Sequence, residues 1–452
     1  MSTRQLLEDV TARATRYLEG LPSRPVRPDP AAVTALVELK RPLPERPGDP
    51  RETLAELDRI CGPATMAMAG PRFFGFVIGG SLPVTVATSW LATAWDQNAG
   101  LFRPTPSAAM VESVALDWLV DLLGLAKGTG GGFVTGATVA NFTALAAARH
   151  VVLERAGWNV EAHGLFGAPP IQVVVGDEAH PTLLKSLGLL GLGRSRLTRV
   201  PVDGQGRMRP EAMPELKGPT LVCAQAGNVN TGAFDPLNAI ADRCAKAGAW
   251  LHVDGAFGLW AAASPSLRHL LAGIERADSC ATDAHKSLNV PYDSGLAFVR
   301  DPRWLAAAMA ITAEYLPTDS PERNPSDFTP ELSRRARGFE IWAALRTLGR
   351  SGVAELIDGF ARHARRFAEK LSAAGFEVLN EVAFNQVLVA FGDAKATERT
   401  IARVQAEGTC WAGPTVWQGK SAMRISVCGW STTEADVDRS VEAIIAAARA
   451  GV

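Results

Sequence analysis

Lys286 stands directly behind a histidine in "CATDAHKSLNVPYDSG" (280–295), a few residues after the strand-like "SCAT" and among small polar neighbours. A solitary lysine in a loop is ordinarily a solvated one. Held at the end of a buried strand it is desolvated instead, its pKa falls, and its amine becomes a nucleophile. Three further stretches carry comparable chemistry. "WLHVDGAFGLW" (250–260) delivers Asp254 at the end of a β-rich run, followed by Gly255 and Ala256, which leave room for something flat. A lone buried carboxylate is costly, so Asp254 needs a cationic partner, and a structural ion pair would satisfy that need as well as a ligand. "GDEAHPTLLKSLGLLG" (176–191) sets His180 and Pro181 at the opening of a helix, where the histidine is a cap, a turn filler or a ligand contact. "FVTGATVANFTALAAAR" (133–149) reads as an apolar segment, a turn at Gly136, Ala137 and Thr138, and then an Ala-rich helix. The free N–H groups of that first turn suit a phosphate, to which Thr138 adds a hydroxyl. Taken alone, the same pattern is an ordinary strand-turn-helix connection.

Together these stretches converge on one ligand. Pyridoxal phosphate needs a lysine for a Schiff base, a carboxylate that keeps the pyridine nitrogen protonated, a phosphate cradle and a flat contact over the ring. The chain supplies them at 136–138, 180, 254 and 286. Competing templates fail. The glycine cluster "GTGGGFVTGATVANF" (128–142) does not fit G-x-G-x-x-G, and "GKS" (419–421) has Pro414 where a P-loop needs its leading glycine. No nucleophile elbow or H-E-x-x-H helix is present. Cys61, Cys223, Cys244, Cys280, Cys410 and Cys428 are scattered without a CxxC pair, so they read as reduced core thiols and no metal site is expected.

The elements that must position these residues follow a βαβ rhythm. "IQVVV" (171–175), "TLVCA" (220–224), "WLHVD" (250–254) and "GLAFV" (295–299) are rich in β-formers, with helices such as "LNAIADRCAKAG" (237–248) between them. This is an α/β fold with a mainly parallel central sheet, which gathers its ligands at the carboxyl ends of its strands. After "SRRARGFEIWAALRTLG" (333–349), a long helix over 353–375 precedes short strands in "FEVL", "QVLVAF" and "MRISVC", which predicts a small C-terminal α+β domain. At the other end, Leu6, Leu7, Val10, Ala14, Tyr17 and Leu18 recur at helical spacing up to Gly20, and a Pro- and charge-rich stretch follows. Such a segment wraps a neighbour more readily than it packs a core of its own. The expected division is therefore an N-terminal helical segment over 1–70, a large ligand-binding domain over 71–345 and a small domain over 346–452.

Lysine plus arginine total 46 against 47 for aspartate plus glutamate, a net charge of −1 with no long block of one sign. That argues against a nucleic-acid or membrane-surface binder. Arg4, Glu8 and Asp9 occupy the place where a signal peptide would need its apolar core, so a cytoplasmic protein is expected. "FFGFVIGGSLPVTVATSWLATAW" (73–95) is uncharged and long enough to cross a bilayer, but "GGSLP" would break a spanning helix. The expectation is a buried strand or loop and then a helix from near Pro83, with Phe73, Phe74, Phe76, Trp90 and Trp95 as core residues.

The succession "TGATVAN", "AHPT", "HVDGAFG" and "DAHKSLNVPYDSG" resembles the group II pyridoxal-phosphate-dependent amino-acid decarboxylases, the family of aromatic-amino-acid, histidine and glutamate decarboxylases. The resemblance runs from "GPRFFGFV" (70–77) to "AMRISVCGW" (422–430). It implies a fold-type-I enzyme, a homodimer with active sites shared at the subunit interface, and an N-terminal segment that clasps the partner. By the same resemblance Lys286 carries the cofactor as a Schiff base, Asp254 pairs with the pyridinium nitrogen, and Ala256 packs on the ring face opposite a stacked His180. Ala137 and Thr138, after Gly136, match the positions that hold the phosphate, with His285 beside it and Asp283 where many relatives have asparagine. Asn228, in "AGNVNTGAFDP", matches a loop lining the cofactor, and Arg424 matches an arginine of the C-terminal domain.

The implied reaction converts an L-amino acid to its amine and carbon dioxide, with aromatic substrates among the candidates. Two departures bear on it. The family's loop tyrosine, which returns a proton to the substrate carbon, has no match: Pro325 falls near its place, and the only tyrosines are Tyr17, Tyr292 and Tyr315. Tyr315, in "AEYL", is the nearest substitute. Without a donor the intermediate would meet oxygen and release an aldehyde, so an aldehyde synthase, or a carbon-carbon lyase of the same fold, is the alternative. The second departure is in the substrate pocket, whose positions read Phe76, Val77 and Gly79, while the segment given by the partner subunit reads "DQNAGLF" (96–102), with little aromatic bulk.

Overall fold

Runs of β-branched and small apolar residues that are buried on both faces build the central sheet. The computed structural model describes residues 2–311 and 322–450, and Tyr315 with "AEYL" lies outside the described residues. The strands are β1 (Gly130–Val134), β2 (Gln172–Gly176), β3 (Thr198–Val200), β4 (Thr220–Gln225), β5 (Trp250–Asp254), β6 (Ser279–Asp283) and β7 (Gly295–Val299). They lie in the order β1-β7-β6-β5-β4-β2-β3. β2, β3, β4, β5 and β6 pair in parallel, and β7 runs against both β6 and β1. The mainly parallel α/β sheet is therefore as expected. Register sets Asp254 beside Gln225 on one side and Ala281 on the other, so the carboxyl ends of β4, β5 and β6 form one rim.

β1 is the strand that the sequence conceals. Its "GGG" carries no β-former to mark it, and each glycine faces a neighbour that leaves no room for a side chain. A Cβ on Gly132 would lie 2.1 Å from the Phe328 carbonyl oxygen, one on Gly131 2.8 Å from that of Ala297, and one on Gly130 2.5 Å from the Pro302 Cβ. Close backbone approach, rather than turn formation, is the reason for glycine here.

The helix Ala137–Glu154 packs on the sheet and is buried over most of its length. Its alanines at 140, 144, 147 and 148 let it approach Val173, Val175 and Trp250 closely, and this contact is the centre of the core. The helix Leu237–Ala247 has a one-sided apolar face formed by Leu237, Ile240, Ala241 and Cys244, and ends at Gly248 in the left-handed region (φ 67°).

Contacts divide the chain into two compact units. One comprises 79–365 with 380–387 and holds the seven-stranded sheet. The other comprises 1–78, 366–379 and 388–452. To it belong the N-terminal helix Thr3–Gly20, opened by a Ser2–Gln5 capping box, and most of a four-stranded sheet. That sheet orders β8 (Glu377–Val378), β9 (Gln386–Ala390), β10 (Gly413–Trp417) and β11 (Lys420–Ser426) as β10-β11-β9-β8. Gln418 and Gly419 (φ 46° and 82°) make the tight turn between β10 and β11. The helical run Gly338–Ala373 is interrupted at Gly349, so it begins earlier than the sequence suggests.

Within 73–95 the helix spans Pro83–Trp95, and no described helix is long and apolar enough to cross a membrane. Phe73 and Phe74 are buried as expected. Phe76, Trp90 and Trp95 are 59%, 41% and 50% exposed on this chain, which corrects their assignment to the core.

Candidate active site

Period-two alternation along β5 puts Trp250, His252 and Asp254 on one face of the strand. Asp254 ends it, 3% exposed. Burial lifts its pKa to about 6, against the Lys286 charge, the Ala256 N–H (3.3 Å from Oδ1) and the Asn141 side chain, which all favour the ionised form; Asp283 opposes them. Of the two partners open to Asp254, a structural ion pair or a ligand, the first is not made among the described residues. Among the described residues no basic side chain pairs directly with Asp254, and Lys286 acts on it only at longer range.

The next strand ends in a second buried carboxylate with a different environment. Asp283 Oδ1 accepts the Ala137 N–H at 2.5 Å, and Oδ2 lies 3.1 Å from Lys286 Nζ and 3.6 Å from His285 Nε2. Its backbone is fixed as well: its N–H donates to the Ala256 carbonyl (2.9 Å) and its own carbonyl accepts from Trp260 Nε1 (2.9 Å). His285 Nδ1 accepts the Ser294 N–H at 3.0 Å, which leaves the proton of the neutral ring on Nε2, facing Asp283. Burial lowers the pKa of His285, and its ring stacks on Tyr292 with centroids 4.1 Å apart.

Lys286 begins a tight loop organised by Asn289, which is fully buried with φ 55°. The Asn289 N–H and Nδ2 both donate to the Lys286 carbonyl (3.2 and 3.1 Å), and its Oδ1 accepts the Gly80 N–H at 2.7 Å. Gly79 lies against the same carbonyl: a Cβ there would be 2.0 Å from the Lys286 oxygen. Gly79, expected as a pocket position, is thus demanded by close packing on the lysine loop.

Gly136 has an extended backbone (φ 169°), so contact rather than torsion selects it. A Cβ on Gly295 would come within 2.4 Å of Gly136 Cα, and one on Gly136 within 3.3 Å of His285 Cε1. Asp283 already occupies the Ala137 amide, so the phosphate cradle offers one N–H fewer than the sequence suggests. The amides of Thr138 and Val139 still have no acceptor within the helix. His180 is the N-cap of the helix Pro181–Leu189, its Nδ1 facing the Thr182 hydroxyl (2.6 Å) and N–H (3.3 Å). It also lines a cleft with Asp254, Ala224 and Gln225. Capping and site lining are both realised in one residue.

Asn228, just past β4, closes its loop by accepting the Asn230 and Thr231 amides on Oδ1 (2.8 and 3.2 Å). Its Nδ2 is buried without a hydrogen-bond partner among the described residues. Arg424 sits on β11 in the other unit, largely buried, and the stacked rings of Phe73, Trp411 and Phe76 belong to that unit too. Of the described tyrosines, Tyr292 is brought to the Lys286 loop, while Tyr17 bonds Thr65.

Asn141, His252 and Asn289 escaped the sequence reading. Alternation offered one signal, since it sets His252 on the face of Asp254. The partner of Asn141 is too distant in sequence to leave any, and Asn289, although it bonds Lys286 three residues back, meets Gly80 only across 209 residues.

A parallel α/β rim that presents a lysine, a buried carboxylate without an ion pair, first-turn amides and an orphaned asparagine amide fits pyridoxal phosphate. It defines a fold-type-I enzyme of that cofactor. The family described as the pyridoxal-dependent decarboxylase conserved domain matches residues 32–392. Tryptophan decarboxylase 1 of Oryza sativa subsp. japonica is 30% identical, over 91% of this chain and 87% of its own length. Cysteine sulfinic acid decarboxylase of Rattus norvegicus is 30% identical over 75% of this chain and 71% of its own. The crystal structure of Oryza sativa TDC with PLP and tryptamine superposes with a TM-score of 0.91 at 26% identity, covering 99% of this chain and 98% of that one. The chain belongs to the pyridoxal-dependent decarboxylase family. It is a pyridoxal-phosphate-dependent carboxy-lyase that converts an amino acid to an amine and carbon dioxide.

Proposed function

We propose that the substrate is an aromatic L-amino acid, decarboxylated in a cytoplasmic homodimer with shared active sites, and that Lys286, His180 and Asp254 are its catalytic residues. One observation carries the residue assignment: Asp254 is buried at the strand rim without an ion pair, in a cleft it shares with His180. A carboxylate in that state favours an incoming cation strongly.

Pyridoxal phosphate, when bound, supplies an electron sink for the substrate carbon that loses carbon dioxide. The Lys286 amine would hold it covalently, and Asp283, 3.1 Å from Nζ, fixes where that amine stands. Asp254 would keep a proton on the pyridine nitrogen. Gly136, Ala137 and Thr138 frame the place for the phosphate, where the unspent amides of Thr138 and Val139 and the neutral His285 Nε2–H are donors. Ala256 and His180 would contact the two ring faces, and Asn228 Nδ2 offers a further donor.

The aromatic preference is supported by the tryptophan decarboxylase relative and by stacked Phe73, Trp411 and Phe76, centroids 5.2 Å apart, which include a position the family resemblance assigns to the substrate pocket. The six cysteines form no disulfide, which supports a reducing compartment.

The test is a panel of aromatic and acidic amino acids assayed for carbon dioxide, amine, aldehyde and peroxide, beside sedimentation of the holoenzyme. Amine and carbon dioxide in equal amounts from an aromatic substrate are expected. Turnover confined to acidic substrates would overturn the aromatic reading, and aldehyde with peroxide would move the enzyme to the aldehyde-forming alternative.

A further inference from the structure

A buried hydrogen-bond chain leads to Asp254 along its own face of β5. The Trp250 indole N–H donates to Ser279 Oγ at 2.8 Å, and Ser279 Oγ lies 2.8 Å from His252 Nδ1. His252 Nε2 lies 2.8 Å from Asn141 Oδ1. His252, Asn141 and Trp250 are wholly buried, and Ser279 is 2% exposed. Asn141 Nδ2 is buried without a hydrogen-bond partner among the described residues, and the Asn141 side chain is near enough to Asp254 to favour its ionised form.

The two ends of this chain determine every proton in it. An indole nitrogen can only donate, so Ser279 Oγ accepts there, and with Nε2 of the neutral His252 ring facing the Asn141 oxygen, Nδ1 is left to accept the Ser279 proton. Burial holds the His252 pKa down at about 3, so the ring is neutral and its single proton sits on Nε2. That proton requires the oxygen of Asn141 to face the histidine, which turns the NH2 group toward Asp254. An ionised carboxylate can only accept, so the opposite amide orientation would set oxygen against oxygen.

We propose that Trp250, Ser279, His252 and Asn141 form a positioning relay that aims the Asn141 N–H at Asp254 and holds that carboxylate as the acceptor for the cofactor's pyridine N–H. The inference rests on the reading of Asp254 given above. None of the four relay residues needs to touch the substrate, and each acts through the next.

The experiment measures the affinity of the stripped enzyme for pyridoxal phosphate and for its 1-deaza analogue, in which a C–H replaces the pyridine nitrogen. Asn141→Asp, His252→Phe, Ser279→Val, Ser279→Thr and Asp254→Asn are compared with the parent. Asn141→Asp and His252→Phe are expected to bind pyridoxal phosphate on the order of ten- to a hundredfold more weakly, while binding of the analogue changes by about twofold or less. Ser279→Val should lose about threefold in pyridoxal phosphate affinity, and Ser279→Thr, which restores the hydroxyl, should recover it. Equal losses for both cofactors mean a packing role and overturn the proposal, as does unchanged binding of pyridoxal phosphate. If Asp254→Asn itself fails to distinguish the two cofactors, the reading of Asp254 falls, and the relay with it.

Discussion

Asp254 and Asp283 end neighbouring strands of one sheet and are buried alike, 3% and 2% exposed, in opposite electrostatic circumstances. Asp283 commits one oxygen to the Ala137 amide and the other to Lys286, with His285 nearby. Asp254 accepts one long bond from the Ala256 N–H and is otherwise only favoured in its ionised form by the nearby Asn141 and Lys286, and burial raises its pKa to about 6. The difference separates a carboxylate that builds the site from one that acts in it. A buried charge already matched by the protein has little affinity left for a ligand, whereas an unmatched one has its desolvation cost to recover from any cation that arrives.

The largest test of this contrast is in the rate. Asp254→Ala is expected to lower kcat on the order of a thousandfold even when the enzyme is saturated with cofactor, because the lost group stabilises charge that develops during reaction. Asp283→Ala should act first on cofactor retention and on folding. Steady-state rates measured beside the visible spectrum distinguish the two, and an unchanged rate in Asp254→Ala would sink the catalytic assignment.

Stability gives the next effect. In the cofactor-free protein Asp283→Ala strands the buried Ala137 N–H and leaves the Lys286 ammonium, 18% exposed, without its partner. A loss of about 3 kcal/mol is expected in denaturant unfolding, at the low end for a broken buried pair because the lysine retains some contact with water. A loss below about 1 kcal/mol would show that Asp283 is no better matched than Asp254.

How far this contrast could be read in advance depended on which residues make it. Lys286 and Asp254 stood out because ionisable residues at the ends of apolar runs are chemically conspicuous, and β5 and β7 span the residues that their β-formers indicate. The N-terminal helix was equally plain from its spacing. The support was not. Asp283 reaches an amide 146 residues away and His252 an amide oxygen 111 residues away, pairings that no local pattern encodes. β1 was obscured by glycines whose need for close contact becomes visible only beside Phe328, Ala297 and Pro302. Phe76, Trp90 and Trp95 were misassigned because aromatic bulk alone does not distinguish a core from an exposed surface.

The smallest effect has the opposite sign. A carboxylate whose folded pKa is raised contributes stability that is present below its unfolded value and lost as pH climbs through the folded one. For Asp254 that window runs from 3.8 to about 6. Asp254→Asn abolishes the titration while keeping the shape, so the cofactor-free variant should match the parent near pH 4 and exceed it above pH 6, by about 3 kcal/mol from the full shift less the desolvation of the new amide, a net of about 1 to 2 kcal/mol. Asp235, also raised to about 6, and His252, lowered to about 3, titrate in both proteins and cancel in the difference. Unfolding curves across pH 4–8 carry the comparison. A variant less stable than the parent at pH 8 would mean that Asp254, like Asp283, is already satisfied by the protein, and the distinction between the two carboxylates would fail.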